Sequence, residues 1–173
     1  VIITHFHGDH FGGVLHLTER IPVGAFYDHG FSVQDAPELK QKAGGYSELY
    51  TAAFAKGRHK VVVAGDKIPV KGLEVTILSA AAKPIANSGP SNPYCEGLAP
   101  QPETGAPEDA QSIATLVEFG KFRFANFESG VFNRQLEVLC PNNRLGQIDV
   151  LETPGHGGGG PMKAWNAVAP RVA

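Results

Sequence analysis

Three histidines and one aspartate lie within six residues near the start of the chain, in the sequence THFHGDHFGG at positions 4–13. Imidazole and carboxylate groups are preferred ligands of zinc and similar metal ions. His5 and His7 alternate along an extended segment and can point the same way. Asp9 and His10 follow a glycine, where the chain can turn, so they can serve a second ion. Two ions about 3.5–4 Å apart can share and activate one hydroxide, and the pattern therefore predicts a hydrolytic metal centre.

The residues on either side of this segment predict a strand followed by a helix. The first three residues, VII, are β-branched and apolar, as at the end of a buried strand. Residues 10–20 have the apolar spacing of a helix, with Val14, Leu15 and Leu17 facing inward. The polar side chains therefore lie on a strand-to-helix loop, where a rigid scaffold can direct them to one point.

The THFHGDHFGG segment resembles the signature loop of the metallo-β-lactamase superfamily, the HxHxDH motif. Four later stretches are similar to a bacterial branch related to the hydrolase domain of DNA-uptake competence proteins: residues 92–95, 119–124, 140–143 and 170–173. The resemblance implies an α/β fold, the αβ/βα four-layer sandwich. It also implies that residues 1–173 form a single domain, which we expect to be incomplete at both ends and to lack N-terminal and C-terminal strands.

The same resemblance implies a metal-dependent hydrolase that attacks an ester, phosphoester or amide bond with a metal-activated hydroxide. His5, His7 and His156 are expected to bind the first metal, and Asp9 and His10 to bind the second or to orient the attacking water. Asp9 is the expected general base. The expected cofactor is zinc, as one or two ions, with manganese or iron as the other candidates. Bound iron would favour a redox or persulfide enzyme of the same superfamily.

The later motifs of this sequence depart from that branch at two places. The branch carries a Gly-Asp pair after its Phe-Arg-Phe strand, and the aligned residues here are Glu128 and Ser129. Its His-His-Gly motif at the end of the next strand corresponds to Gly155, His156 and a glycine. Because carboxylates neutralise the repulsion between two dications, we expect the second ion to bind weakly. The alternative function is therefore a catalytically impaired, metal-binding pseudo-enzyme.

Composition limits the partners and leaves the location open. With 15 basic and 17 acidic residues, the charge is nearly balanced and gives no reason to expect bulk nucleic-acid binding. No run of 18 apolar residues exists, so no membrane span is expected. The expected partner is a small-molecule or phosphoester substrate. A bacterial protein of this kind can be periplasmic, secreted or cytoplasmic. Cys95 and Cys140 can form one disulfide, which suits export, or remain two buried thiols.

Further elements follow from apolar periodicity and turn residues. Residues 36–56 are predicted as a helix in two pieces divided at Gly44 and Gly45, and residues 60–64 and 73–79 as a hairpin. Residues 113–119 and 121–127 are predicted as paired strands about Gly120. The proline-rich stretch 83–109 either borders a substrate cleft or is a surface excursion. The Asp28-His29-Gly30 turn either orients an imidazole metal ligand or is a solvated loop.

Overall fold

The computed structural model describes residues 1–152, 154–157 and 159–172, without the side chains of residues 43, 44, 156 and 157. Helices and strands alternate along most of this length, as expected for a mixed α/β protein. The helices are α1 (Gly8–Phe11), α2 (Val14–Arg20), α3 (Ala43–Phe54), α4 (Pro107–Ala110), α5 (Phe132–Leu139), α6 (Pro154–Gly157) and α7 (Met162–Trp165). The strands are β1 (Ala25–Asp28), β2 (Arg58–Val61), β3 (Lys67–Val70), β4 (Leu73–Ala80), β5 (Lys83–Pro84), β6 (Ala114–Phe119), β7 (Phe122–Asn126) and β8 (Val150–Glu152).

The strands form two sheets. In the first, β1 and β2 are parallel, and Ile2 extends this sheet through a parallel bridge to Tyr27 of β1. The second sheet has the order β3-β4-β6-β7-β8, with the short β5 paired to β4. Its pairs are antiparallel except for β7 and β8, which are parallel and are connected through α5. Parallel neighbours require such a crossover connection, because a tight turn can join only antiparallel strands.

Alternation of side chains along the strands places the two sheets face to face, with helices outside each. In β1, Phe26 packs into a core with α2 and α3, whereas Tyr27 packs against the core between the sheets. In β4, Ile77 faces that central core, whereas Leu78 faces a third core with α5 and α7. Successive strand residues point to opposite faces, and the result is a four-layer αβ/βα arrangement. The predicted α/β fold class is therefore confirmed.

Several local predictions differ from the structure. Helix α3 is continuous through Gly44 and Gly45, where a division was predicted, and Leu17, predicted to face inward, is exposed. Residues 60–64 do not pair with residues 73–79, because β2 joins β1 in the first sheet and β4 instead receives β3. The helix predicted over residues 10–20 is divided into α1 and α2 at Gly12. A Cβ atom at Gly12 would lie 2.4 Å from the carbonyl oxygen of Gly8, so only glycine permits the tight turn that closes the histidine loop.

The predicted strand pair about Gly120 is confirmed as β6 and β7, and Gly120 turns the chain with φ of 59°. A positive φ costs glycine nothing, because it has no Cβ. These strands are central to the second sheet.

Among the described residues, no helix combines the length and the apolar character needed to cross a lipid bilayer.

A disulfide between Cys95 and Cys140 joins the long irregular stretch to the end of α5, with 5.7 Å between the two Cα atoms. The sequence left this pairing open. The amide of Asn92 strengthens the same junction, because it donates to the carbonyl oxygens of Leu139 and Ala164. The middle of the irregular stretch is therefore fixed to the second sheet's helices, and the following residues run back towards the histidine loop.

Candidate metal centre

His5, His7 and Asp109 bring their side chains together at one point. Nδ1 of His7 lies 3.1 Å from Oδ1 of Asp109, and Nε2 of His5 lies 3.7 Å from the same oxygen. One ligand atom from each residue falls within 4.8 Å of the other two. Tetrahedral zinc with bonds of about 2.0–2.1 Å places its ligand atoms ~3.3 Å apart, so these separations are close to those of a metal site.

Local packing fixes the two histidines in place. Phe6, between them, is fully buried, and its ring packs edge-to-face with those of Phe11 and Phe31, with centroids 5.1 Å apart in each pair. Alternation then directs His5 and His7 away from this aromatic core. His7 has extended backbone angles and immediately precedes α1. The histidines therefore occupy the last extended residues before the chain turns into a helix.

The donor set fits a metal ion. His5 is fully buried, and within the described part of the chain its Nε2 finds no hydrogen-bond partner. An unsatisfied buried polar atom is costly, and this one points towards the carboxylate of Asp109. Two imidazoles and one carboxylate can bind zinc or iron(II) and leave coordination positions open to other groups. His7 and Asp109 are each about one quarter exposed, so the point of convergence is accessible.

Burial shifts the pKa of two of these groups. It lowers the pKa of His5 to about 3, and His10 and His7 add to this effect. His5 is therefore neutral at pH 7 and offers a lone pair with no proton to displace. Burial also raises the pKa of Asp109, although the neighbouring His7 partly opposes the rise.

A second group of polar side chains lies beside the first. Nε2 of His10 is 3.3 Å from the carboxylate of Asp9, and Nδ1 of His10 is 3.6 Å from that of Glu128. The backbone N–H of Glu128 donates to Glu152 over 3.0 Å. Burial raises the pKa of Glu152, and the charge of Glu128 adds to the rise. The rings of His5 and His10 have centroids 4.0 Å apart, so the two groups adjoin.

The structure thus separates the predicted site residues into two sets. His5 and His7 converge with each other and with Asp109. His10 instead lies between Asp9, which is close to its Nε2, and Glu128, which is close to its Nδ1. The side chain of Asp9 is two-thirds exposed. The remaining predicted ligand, His156, has its backbone in α6, but its side chain lies outside the described residues, so its predicted role stays a prediction.

Ser129 and Gly155, the two positions where the later motifs depart from the competence branch, both line a cleft of about 460 Å³. The backbone connects this cleft to the second group, since the N–H of Gly155 donates to the carbonyl of Glu128 over 2.7 Å. On its other side, a Cβ added at Gly105 would lie 3.4 Å from Oδ2 of Asp109. The cleft therefore opens beside both groups of candidate ligands.

Sequence reasoning missed Asp109. It lies in the four-residue helix α4, at the end of the long irregular stretch and five residues before β6. The available signal was a pair of adjacent carboxylates, Glu108 and Asp109, directly after Pro107 and just before a buried strand. Polar residues at a strand end are frequent site residues, yet the pair was attributed to the loop.

Comparison with known proteins identifies the family of this chain. A family model of the Metallo-beta-lactamase superfamily matches residues 1–96, more than half of the 173 residues, and the chain belongs to this superfamily. The matched residues include the whole histidine loop. No curated protein sequence matches the chain.

Two solved structures are similar over most of this chain. One is zinc-bound PqqB from Methylobacterium extorquens, with 19% identity and a TM-score of 0.49 over 87% of this chain and 44% of that one. The other is a mutant of the β-hydroxylase CmlA, with 14% identity and a TM-score of 0.54 over 99% of this chain and 35% of that one. The similarity to CmlA supports the fold alone. This chain spans less than half the length of either protein.

Proposed function

We propose that this protein is a metal-dependent hydrolase whose first metal ion, most simply zinc, is bound by His5, His7 and Asp109. The observation that carries the proposal is the convergence of these three side chains within 4.8 Å of one another. The buried and unpartnered Nε2 of His5 supports it independently. Membership of a superfamily of metal-dependent hydrolases and related oxygenases makes hydrolysis the first activity to test.

A zinc ion at this place would lower the pKa of a bound water molecule towards 7 and supply a nucleophile at neutral pH. The protein's own groups have separate tasks. His5 contributes a neutral imidazole, because burial depresses its pKa. Asp109 contributes the negative charge that partly balances a dication. Asp9, exposed beside His10, accepts a proton and transfers it to solvent, as a general base does.

The cleft beside Ser129 and Gly155 is the proposed substrate site. Its walls carry hydrogen-bonding groups from Gln101, Thr104 and Asn133. Ester, phosphoester and amide substrates all present a polarised acyl or phosphoryl centre to such a site. The resemblance to the competence branch favours the phosphoester.

We also propose that the Cys95–Cys140 disulfide reflects folding in an oxidising compartment, and therefore export from the cytoplasm.

Metal analysis combined with hydrolysis assays tests the proposal. The purified protein, loaded with zinc, is assayed on nitrophenyl esters, a bis-nitrophenyl phosphodiester and a nitroanilide, beside a His7→Ala variant. We expect at least one zinc per chain and turnover of one substrate class that His7→Ala abolishes. Zinc binding without turnover would instead support the pseudo-enzyme. Iron in the protein as purified, again without turnover, would favour redox chemistry, because two histidines and one carboxylate also suit iron(II).

The second metal ion is predicted to depend on Glu128. Its carboxylate is directed at His10, 3.6 Å from Nδ1, whereas the neighbouring Ser129 lines the cleft. Glu128→Gln removes a negative charge next to two adjoining cation sites and is expected to weaken second-ion binding at least tenfold. Isothermal titration with zinc measures both sites, and Ser129→Ala is the matched control. Equal losses in the two variants would contradict the role given to Glu128.

A further inference from the structure

Glu108 is a buried carboxylate that the proposed chemistry does not use. Its side chain is fully buried, as is that of His29. One carboxylate oxygen, Oε1, accepts a hydrogen bond from the backbone N–H of Phe6 over 2.6 Å, and Nε2 of His29 lies 2.9 Å from the same oxygen. Taking a carboxylate out of water is expensive unless it is paired and hydrogen-bonded. The contacts of Glu108 therefore decide what its burial contributes.

The position of Glu108 connects the two segments that supply the candidate ligands. Phe6, whose N–H it accepts, lies between His5 and His7, and Glu108 itself directly precedes Asp109. A second bond joins these segments two residues before Phe6 and five after Glu108, where the N–H of Ile113 donates to the carbonyl of Thr4 over 2.9 Å. Of these two hydrogen bonds, only the one to Glu108 is made by residues that adjoin candidate ligands on both segments.

A second carboxylate extends the same network. The backbone N–H of Glu108 donates to Oε1 of Glu38 over 2.7 Å, and this oxygen lies 3.9 Å from Nε2 of His7. Glu108 is therefore fixed through both its backbone and its side chain. Its position determines where the next residue, Asp109, projects.

We propose that Glu108, held by His29, is a positioning residue for the metal centre. It fixes the peptide between the two histidine ligands and, through the chain, the third ligand Asp109. This inference rests on the proposed metal site, but not on the reaction performed there. The expected size of the effect is that of groups which orient metal ligands, whose loss typically costs 10–100-fold in metal affinity.

The test compares Glu108→Ala, Glu108→Gln and, as a control, Glu74→Ala, which removes an exposed carboxylate of β4 paired with Lys67. Zinc affinity is measured by competition with a chromophoric chelator, ligand geometry by the visible absorption of the cobalt(II) form, and folding by circular dichroism. We expect Glu108→Ala to weaken zinc binding at least tenfold and to change the cobalt spectrum. Glu108→Gln keeps an acceptor for the N–H of Phe6 and should recover most of the affinity, while Glu74→Ala should match the wild type.

A purely structural role predicts a different outcome, in which Glu108→Ala lowers the melting temperature but leaves the cobalt spectrum and the zinc affinity of the folded protein unchanged. That result would overturn the inference. If Glu108→Ala does not fold, His29→Leu tests the same inference, because it removes the imidazole that holds Glu108. Its cobalt spectrum must change for the inference to stand. Wild-type protein that binds zinc without hydrolysing any substrate would refute the hydrolase and leave the role of Glu108 intact. A wild type that binds no zinc would refute both.

Discussion

Replacing Asp109 with alanine is expected to weaken zinc binding more than a hundredfold, which corresponds to about 3 kcal/mol or more. Asp109 is the one acidic member of the three-residue group found among the described residues. Its Oδ1 lies within 3.7 Å of a ring nitrogen of both histidines, so its removal takes away a donor and the charge that opposes the dication. Equilibrium competition with a chelator measures the loss directly, without a substrate.

Two further variants make this result specific. Asp109→Asn keeps the size of the side chain and one oxygen but removes the charge, so its affinity should fall between those of wild type and Asp109→Ala. Asp9→Ala removes the carboxylate that the sequence predicts as a ligand, yet Asp9 lies beside His10 and outside the three-residue group. We expect Asp9→Ala to leave first-ion affinity within about threefold of wild type, since exposed charges interact weakly through water. A larger loss with Asp9→Ala than with Asp109→Ala would show that the histidine loop binds the first ion without α4.

The contrast between Asp9 and Asp109 shows which parts of the site can be inferred from sequence. His5 and His7 are two residues apart on one extended segment, so their common direction follows from local backbone geometry. Asp109 is about a hundred residues away, and it reaches them only because the irregular stretch, fixed at Cys95, returns to the first sheet. No repeating pattern of apolar residues in the sequence predicts that the irregular stretch returns to the histidine loop. The path of such a segment depends on tertiary contacts, for example the bond between Glu108 and Phe6.

The fold itself follows from sequence more closely than the site does. The strands β6 and β7 are recognisable because apolar and polar residues alternate around Gly120, and pairing through a short turn requires no distant information. The first sheet is different. Its strand β2 is exposed along its whole length and pairs with β1 in parallel. The apolar residues 61–63 indicate a strand near its end, but parallel pairing has no turn to indicate the partner. The predicted hairpin with residues 73–79 was therefore wrong.

Glu128 illustrates a further limit. The resemblance to the competence branch, an expectation from sequence, pairs Glu128 with a glycine of that branch and Ser129 with its aspartate. In the structure, Glu128 has a φ of 40°, and its carboxylate faces His10. Non-glycine residues adopt positive φ infrequently, and the position matches one at which the branch carries glycine. The sequence did not predict this backbone conformation or the direction of the side chain, and both depend on tertiary contacts.

Metal-free protein is expected to lose stability steeply as the pH falls below 6.5, and His5 is the largest single cause. Burial lowers the pKa of His5 from 6.5 to about 3 in the folded protein, whereas the unfolded chain takes up a proton near pH 6.5. The folded state therefore binds fewer protons between these two values. Its free energy of unfolding is fully retained above pH 6.5 and decreases by about 1.4 kcal/mol for each pH unit below it, or roughly 5 kcal/mol in all by pH 3.

Denaturant unfolding at several pH values between 7.5 and 4, in the presence of a chelator, measures this slope. His5→Gln replaces the imidazole with a neutral amide, so the slope should flatten by close to one proton. The matched control is His16→Gln, because the side chain of His16 is three-quarters exposed and lies outside the candidate site. Carboxyl groups with raised pKa values, such as Asp28 and Glu152, contribute the opposite slope, but they are present in every variant and cancel in the comparison. If His5→Gln kept the wild-type slope, His5 would be protonated in the folded protein at mildly acidic pH. Zinc would then have to displace that proton, and first-ion affinity would fall as the pH drops below about 6.5.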